Sequence, residues 1–141
     1  MRLVAPGFVN GRAELARWLA SADIYVSAMA DETFGISVVE AQASGLPVVG
    51  VAAGAMVDRV TLATGRLGPV DDAATMARNI VDMWDADRTV IRECAQVHAR
   101  QYSWDHSMDG LFTSLYPKAF HRAAARAALP SPQILPALVD A

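Results

Sequence analysis

Residues 32–50 read ETFGISVVEAQASGLPVVG, an apolar run that carries two carboxylates, Glu32 and Glu40, with Gly35 between them. The helix of this run begins near Gly35. A helix N-terminus presents unpaired N–H groups and about half a positive charge, which suits a phosphate or diphosphate. A glycine there has no side chain and lets the backbone come close to such a ligand. Glu32 then lies at the mouth of the turn, near whatever the phosphate carries. Glu40 lies about one turn further in, roughly 6 Å along the axis. A carboxylate there can accept two hydrogen bonds from a vicinal diol such as a ribose. One carboxylate for a sugar hydroxyl, main-chain amides for phosphate and a second carboxylate for ribose together describe a nucleotide-sugar site.

A plainer reading competes with this one. A glutamate in an apolar helix is commonly a partly exposed residue or the partner of an arginine. Burying it unpaired is costly, so the plainer reading needs a cation, and Arg59, Arg66 and Arg78 are the candidates.

The elements that must position these groups follow from periodicity. RAELARWLASAD places Leu15, Trp18 and Leu19 at helical spacing, so Arg12 to about Ala20 reads as a helix. RLVAPGFV reads as a short strand before it, ending at the Asn10-Gly11 turn. DIYVSAM and PVVGVA are apolar on both faces, the pattern of strands buried in a parallel sheet. ISVVEAQAS is a helix stopped by Gly45 and Pro47. AGAMVDRV reads as a short helix and TGRLGPV as a turn with a short strand.

The second half reads as all helix. Asp72 caps AATMARNIVDMW, with Met76, Ile80, Met83 and Trp84 on one stripe. DRTVIRECAQVHARQY follows, with Val90, Cys94 and Val97 as inner positions. Ser103 caps a last helix on which Trp104, Met108, Leu111, Leu115 and Phe120 recur, kinked at Pro117. The tail PSPQILPALVDA reads as extended or loosely held.

Strand–helix alternation with buried strands implies βαβ units. The expected class is α/β, a partial Rossmann-like parallel sheet with flanking helices, whose ligands bind at the C-terminal ends of the strands. Only three or four strands can be counted, fewer than a doubly wound sheet normally has, so the domain reads as incomplete.

The 141 residues carry a net charge of −3 and no long Lys/Arg run, which argues against nucleic acid as a partner. One cysteine, Cys94, excludes an internal disulfide and a multi-Cys metal site, and it reads as a buried inert thiol. His98, His106 and His121 lack metal-site spacing, so no metal is expected. Trp18, Trp84 and Trp104 read as core anchors rather than ligand platforms. HRAAARAAL is an amphipathic basic stretch that permits peripheral membrane contact, on two or three cations only. The N-terminus lacks the apolar core of a signal peptide, and with the lone cysteine this fits the cytoplasm, including the inner face of a membrane.

The residues Glu32, Phe34, Gly35, Glu40, Ala41, Gly45, Pro47 and Val48 closely resemble the signature of the retaining glycosyltransferases of family 4, which have the two-domain GT-B fold. GFVNGRAELARWLASADIYVSA, TGRLGPVDDAATMARNIVDMWDADR and YSWDHSMDGLFTSLY are similar to the family's flanking segments, so the resemblance covers roughly residues 3 to 118. It implies transfer of a sugar from a nucleotide-diphosphate donor with retained configuration, usually without a bound metal and with no other cofactor. Carried over residue by residue, Glu32 contacts the transferred sugar and is the catalytic candidate. Main-chain groups of Phe34, Gly35 and Ile36 approach sugar and diphosphate, and Glu40 binds the ribose. The chain departs from the pattern at SAMA, where the family shows Pro-Ser, and at AAGAMVD, where it shows Gly-Gly and then Pro-Glu.

The resemblance further implies a missing N-terminal acceptor domain and a missing Arg and Lys for the diphosphate. On that basis residues 1–120 read as a truncated nucleotide-sugar-binding domain, and 121–141 as a helical end with a loose Pro-containing tail. This chain alone is then expected to be inactive, with an unidentified glycan, lipid or small-molecule acceptor. Missing edge strands predict self-association. The alternative is a non-catalytic binding or assembly module, or a decayed remnant that keeps the fold. A nicotinamide-dependent dehydrogenase fits poorly, because no GxGxxG follows a strand.

Overall fold

Val48–Val51 has no polar side chain, and all four of its residues are buried. Such a segment is stable only with a strand on either side and cover on both faces. The computed structural model, which describes residues 3–127, gives it both neighbours. Strand β1 (Tyr25–Ser27) and strand β3 (Gly65–Gly68) flank β2 (Val48–Val51) in a three-stranded parallel sheet of order β1-β2-β3. Tyr25 pairs with Val48, and Val48 with Gly65. Helix α1 (Arg12–Ala20) precedes β1. Helix α2 (Ile36–Ala43) connects β1 to β2, and the short α3 (Met56–Arg59) connects β2 to β3. The class is therefore α/β, consistent with a partial Rossmann-like sheet, as the alternation of the sequence predicts.

The core lies under α2 and α3. Val38, Val48, Met56 and Val60 are buried together, with Tyr25 and Leu67 packed against them. Each fully buried aliphatic side chain of this kind contributes about 1.5–3 kcal/mol. Tyr25 also donates its hydroxyl to Ser37 Oγ at 2.8 Å, tying β1 to the first turn of α2. Helix α4 (Ala73–Asp85) buries Met83, and α5 (Arg88–Arg100) buries Ala95 and Ala99. The caps of both are aspartates: Asp72 accepts from the Thr75 amide, and Asp87 from the Thr89 amide.

Residues up to Ser103 form one compact unit and those from Trp104 onward another. The second consists of α6 (Trp104–Gly110), a π-helical turn (Leu111–Leu115) and α7 (Tyr116–Ala127). Pro117 is the second residue of α7, directly after the π turn. Proline lacks an N–H, and its ring clashes with the carbonyl four residues earlier. The π turn ends two residues before this proline, and a proline and a π turn are each places where a helix bends.

Four expectations need correction. RLVAPGFV forms no strand where it is described, because Pro6 cannot donate to a ladder and no described strand lies beside it. The tryptophans are not core anchors: Trp18, Trp84 and Trp104 are 47%, 54% and 77% exposed. Trp84 instead carries the Arg88 guanidinium over its ring at 4.4 Å. On α5, Val90 and Val97 are exposed, and the buried positions are the small Ala95 and Ala99. The helix packs closely through alanines, which rotates its larger aliphatics outward. Finally, the stripe of the second unit is open, with Trp104, Met108, Leu115 and Phe120 all exposed. The tail PSPQILPALVDA lies outside the described residues.

Candidate functional site

All three strands are parallel, so the loops leaving β1 and β2 emerge at one edge of the sheet. The loop after β1 runs through Glu32 to Gly35 and starts α2. The loop after β2 runs from Ala52 to Ala55 and starts α3. The two touch through the backbone: the Ala55 amide donates to the Glu32 carbonyl at 2.8 Å. Gly54 makes this approach feasible. Its φ is 53°, and a Cβ there would press on the carbonyl oxygens of Glu32 and Ala30.

Gly35 is the N-cap of α2, with φ 80° in the left-handed region and no side-chain cap for the helix. That conformation strains any residue with a Cβ. The turn is instead closed by Glu32, whose Oε1 accepts from the Gly35 amide at 2.9 Å and from the Phe34 amide at 3.4 Å. Glu32 is half-buried, and one of its two oxygens serves the turn itself. The other oxygen takes no part in the turn. Phe34 and Ile36 are exposed beside it.

Glu40 answers the question its apolar surroundings raise. It is exposed rather than buried, because the inward face of α2 belongs to Val38, Ala41 and Gln42. Glu40 stands four residues after Ile36, on the same exposed stripe that starts at the open helix end. None of the three candidate arginines pairs with it. Arg59 Nε donates to the Phe34 carbonyl at 2.8 Å, Arg66 to the carbonyls of Leu62 and Gly65, and Arg78 to Thr75 Oγ1. The carboxylate is therefore exposed and unpaired by these arginines, at no burial cost.

The site also holds residues that spacing did not single out. Gln42 is fully buried, and its Nε2 donates to the Arg59 carbonyl at 2.7 Å and to Thr64 Oγ1 at 3.3 Å, joining α2 to the end of α3. A glutamine in a helix of small residues is a visible signal of such a tie. Tyr102, from the turn after α5, stacks edge-on against Phe34 with ring centroids 6.4 Å apart. Nothing local in the sequence points to that contact. Asp58, the last residue of AAGAMVD, is exposed and offers its carbonyl to the Tyr102 hydroxyl at 3.3 Å.

Other titratable groups lie elsewhere. Asp72 Oδ2 accepts from the Thr75 hydroxyl at 2.5 Å, and this bond, with the Thr75 amide, holds its carboxyl below the usual carboxylate range. Cys94 lines an apolar hollow of about 310 Å³ with Leu62, Met83, Val90 and Ile91, on the side from which β3 enters the sheet. Among the described residues no group of three His, Cys, Asp or Glu side chains is placed to hold a metal ion, and no helix is long and apolar enough to cross a membrane.

Comparison with known proteins agrees on one family. A family model described as glycosyl transferases group 1 matches residues 2–86, which include Glu32–Gly35, helix α2 and Arg59 but not Tyr102. The D-inositol 3-phosphate glycosyltransferase of Mycolicibacterium smegmatis is 32% identical over 120 residues, covering 83% of this chain and 27% of that protein. Proteins of the same name from Streptomyces coelicolor and a Nocardioides species are 36% and 37% identical over 98 and 100 residues, each covering 67% of this chain and 21% of the relative. The chain thus spans about a quarter of the length of the curated relatives it matches.

Proposed function

Because the chain belongs to the glycosyl transferases group 1 family, we propose that the edge built by Glu32–Glu40 is the donor wall of a retaining glycosyltransferase that uses a nucleotide-diphosphate sugar. One observation carries the proposal. Helix α2 starts at a left-handed glycine with no side-chain cap, and the unpaired Glu40 lies one turn along the same exposed stripe.

The chemistry follows from that placement. The first amides of α2 and the positive end of the helix receive the diphosphate. As the bond from sugar to diphosphate breaks, negative charge grows on the leaving oxygen, and fixed N–H donors stabilise it there without reorganising. Glu40 accepts from the ribose hydroxyls. Glu32, through the oxygen that the turn does not use, orients the transferred sugar by its hydroxyls. Further cationic side chains and the acceptor-binding part are proposed to come from outside these 141 residues, so the isolated chain is expected to bind donor weakly and to transfer nothing. The relatives named for D-inositol 3-phosphate make a phosphorylated polyol the first acceptor to try.

Titration calorimetry with UDP- and GDP-sugars on the native polypeptide tests the reading. A hydrogen bond to a charged group is worth about 1.5–3 kcal/mol, so Glu40→Ala should weaken donor binding at least tenfold. An unchanged affinity would remove the ribose role from Glu40. A wild type that binds neither class of nucleotide would remove the donor site altogether.

A further inference from the structure

The peptide unit between Phe34 and Gly35 is held from both sides. Its N–H, on Gly35, donates to Glu32 Oε1 at 2.9 Å. Its C=O, on Phe34, accepts from Arg59 Nε at 2.8 Å. Arg59 is itself fixed in several ways. Its carbonyl is bound by the buried Gln42. Its guanidinium carbon lies 4.5 Å from the Phe34 ring centroid and 4.3 Å from that of Tyr102. Tyr102 in turn donates to the carbonyl of Asp58 and packs edge-on against His98. A chain of contacts therefore runs from α5 through Tyr102 and Arg59 to one peptide plane.

That plane matters because it sets the direction of the turn. Gly35 sits at φ 80°, and a glycine there can exchange conformations at little cost by rotating the adjoining peptide. Rotating the 34–35 unit would break both hydrogen bonds and lift the guanidinium from the rings. We infer that Arg59 is the positioning residue of the donor turn: it fixes the Phe34–Gly35 peptide, and so aims the amides of the first turn of α2 at the diphosphate. A lysine cannot replace it, since an ammonium has neither the Nε donor at that place nor a planar face for the rings. The inference rests on the donor reading of the same turn.

The role predicts a split between ligand groups. Arg59→Met in the native polypeptide should weaken whichever of UDP or GDP the wild type binds by about tenfold, the scale of a charged hydrogen bond plus a ring contact. The matching nucleoside, uridine or guanosine, should bind within about twofold of wild type, because its ribose is read by Glu40. Arg59→Lys should lose the diphosphate as Arg59→Met does, and it carries the same comparison if the methionine variant does not fold. Amide exchange at Gly35 without ligand should speed up in both variants. Equal losses for nucleoside and diphosphate, wild-type affinity in Arg59→Lys, or unchanged exchange would each overturn the role. A wild type that binds no nucleotide at all would end the donor reading and this role with it. Faster exchange in the variants would then show that the turn, but not a donor, depends on Arg59.

Discussion

Helices α2, α4 and α5 all begin within the first compact unit, yet their N-termini are finished in two ways. At α4 and α5 an aspartate folds back onto the first amides, Asp72 onto Thr75 and Asp87 onto Thr89 and Val90. At α2 the cap is Gly35, which has no side chain to do this. Its neighbour Glu32 binds the amides of Phe34 and Gly35, just before the helix, and holds the turn rather than the first helical amides. A capped end satisfies orphan N–H groups internally and serves stability. An end closed only up to its glycine leaves those groups for something else. The contrast separates the aspartate-capped starts of α4 and α5 from the open starts of α1, at Gly11, and of α2, and on the proposed reading it is the α2 end that receives an anion.

The sharpest way to break the contrast is at Gly54, which holds the neighbouring loop against the Glu32 carbonyl. Gly54→Ala combines a left-handed φ of 53° with a contact 3.0 Å from the Ala30 carbonyl oxygen. Strain and overpacking together should cost about 3 kcal/mol or more, visible in the denaturation midpoint, and donor binding should fall with it. A cost under about 1 kcal/mol would mean that the loops are not locked.

A subtler change puts a side chain at the open end of α2. Asparagine tolerates the left-handed region, and a Cβ at Gly35 meets Arg59 Cγ at 3.4 Å and Val38 Cβ at 3.6 Å, ordinary contacts. Gly35→Asn should therefore change stability by only about 1–2 kcal/mol. It should weaken diphosphate binding about tenfold by filling the approach to the amides. Calorimetry and a melt on the same sample separate the two effects.

The smallest effect belongs to a true cap. Asp72→Asn should lower the melting temperature slightly and leave donor affinity as it was. The pH dependence has a definite sign. The Thr75 hydroxyl and amide lower the folded pKa of Asp72 below its ordinary 3.8. Its contribution is thus present above that ordinary value and is lost as pH falls through the depressed one. Wild type and variant should differ most near neutrality and converge in acid. A gap that widened in acid would contradict the assignment.

Much of this was legible from the chain. The bounds of α1 and α2, the buried strand β2 and the Asp72 cap follow from local pattern, because each is decided by residues within a turn or two; β1 forms where expected, but as an edge strand with Val26 exposed rather than buried. The motif Glu32–Gly35–Glu40 was legible for the same reason. What local pattern missed depends on distant partners. Arg59 looks like one more surface cation until Tyr102 arrives from the far end of α5 to stack on it. The inner face of α5 was misread because large aliphatics attract attention while Ala95 and Ala99 do the packing. Glu40 is exposed, as the plainer reading of the sequence allows, because an apolar neighbourhood in sequence is not a buried face. Val38 and Gln42 point inward two residues on either side of it.

The hydrogen bond from Ala55 to Glu32 has a bearing on how such sequences can vary. Two loops that share a backbone bond through a glycine cannot change length one at a time. An insertion after β1 would have to be matched after β2, or the glycine contact would be lost. The two segments should therefore behave as a single unit of inheritance: a chimera that takes both from one relative should fold and bind, and one that takes them from different relatives should not.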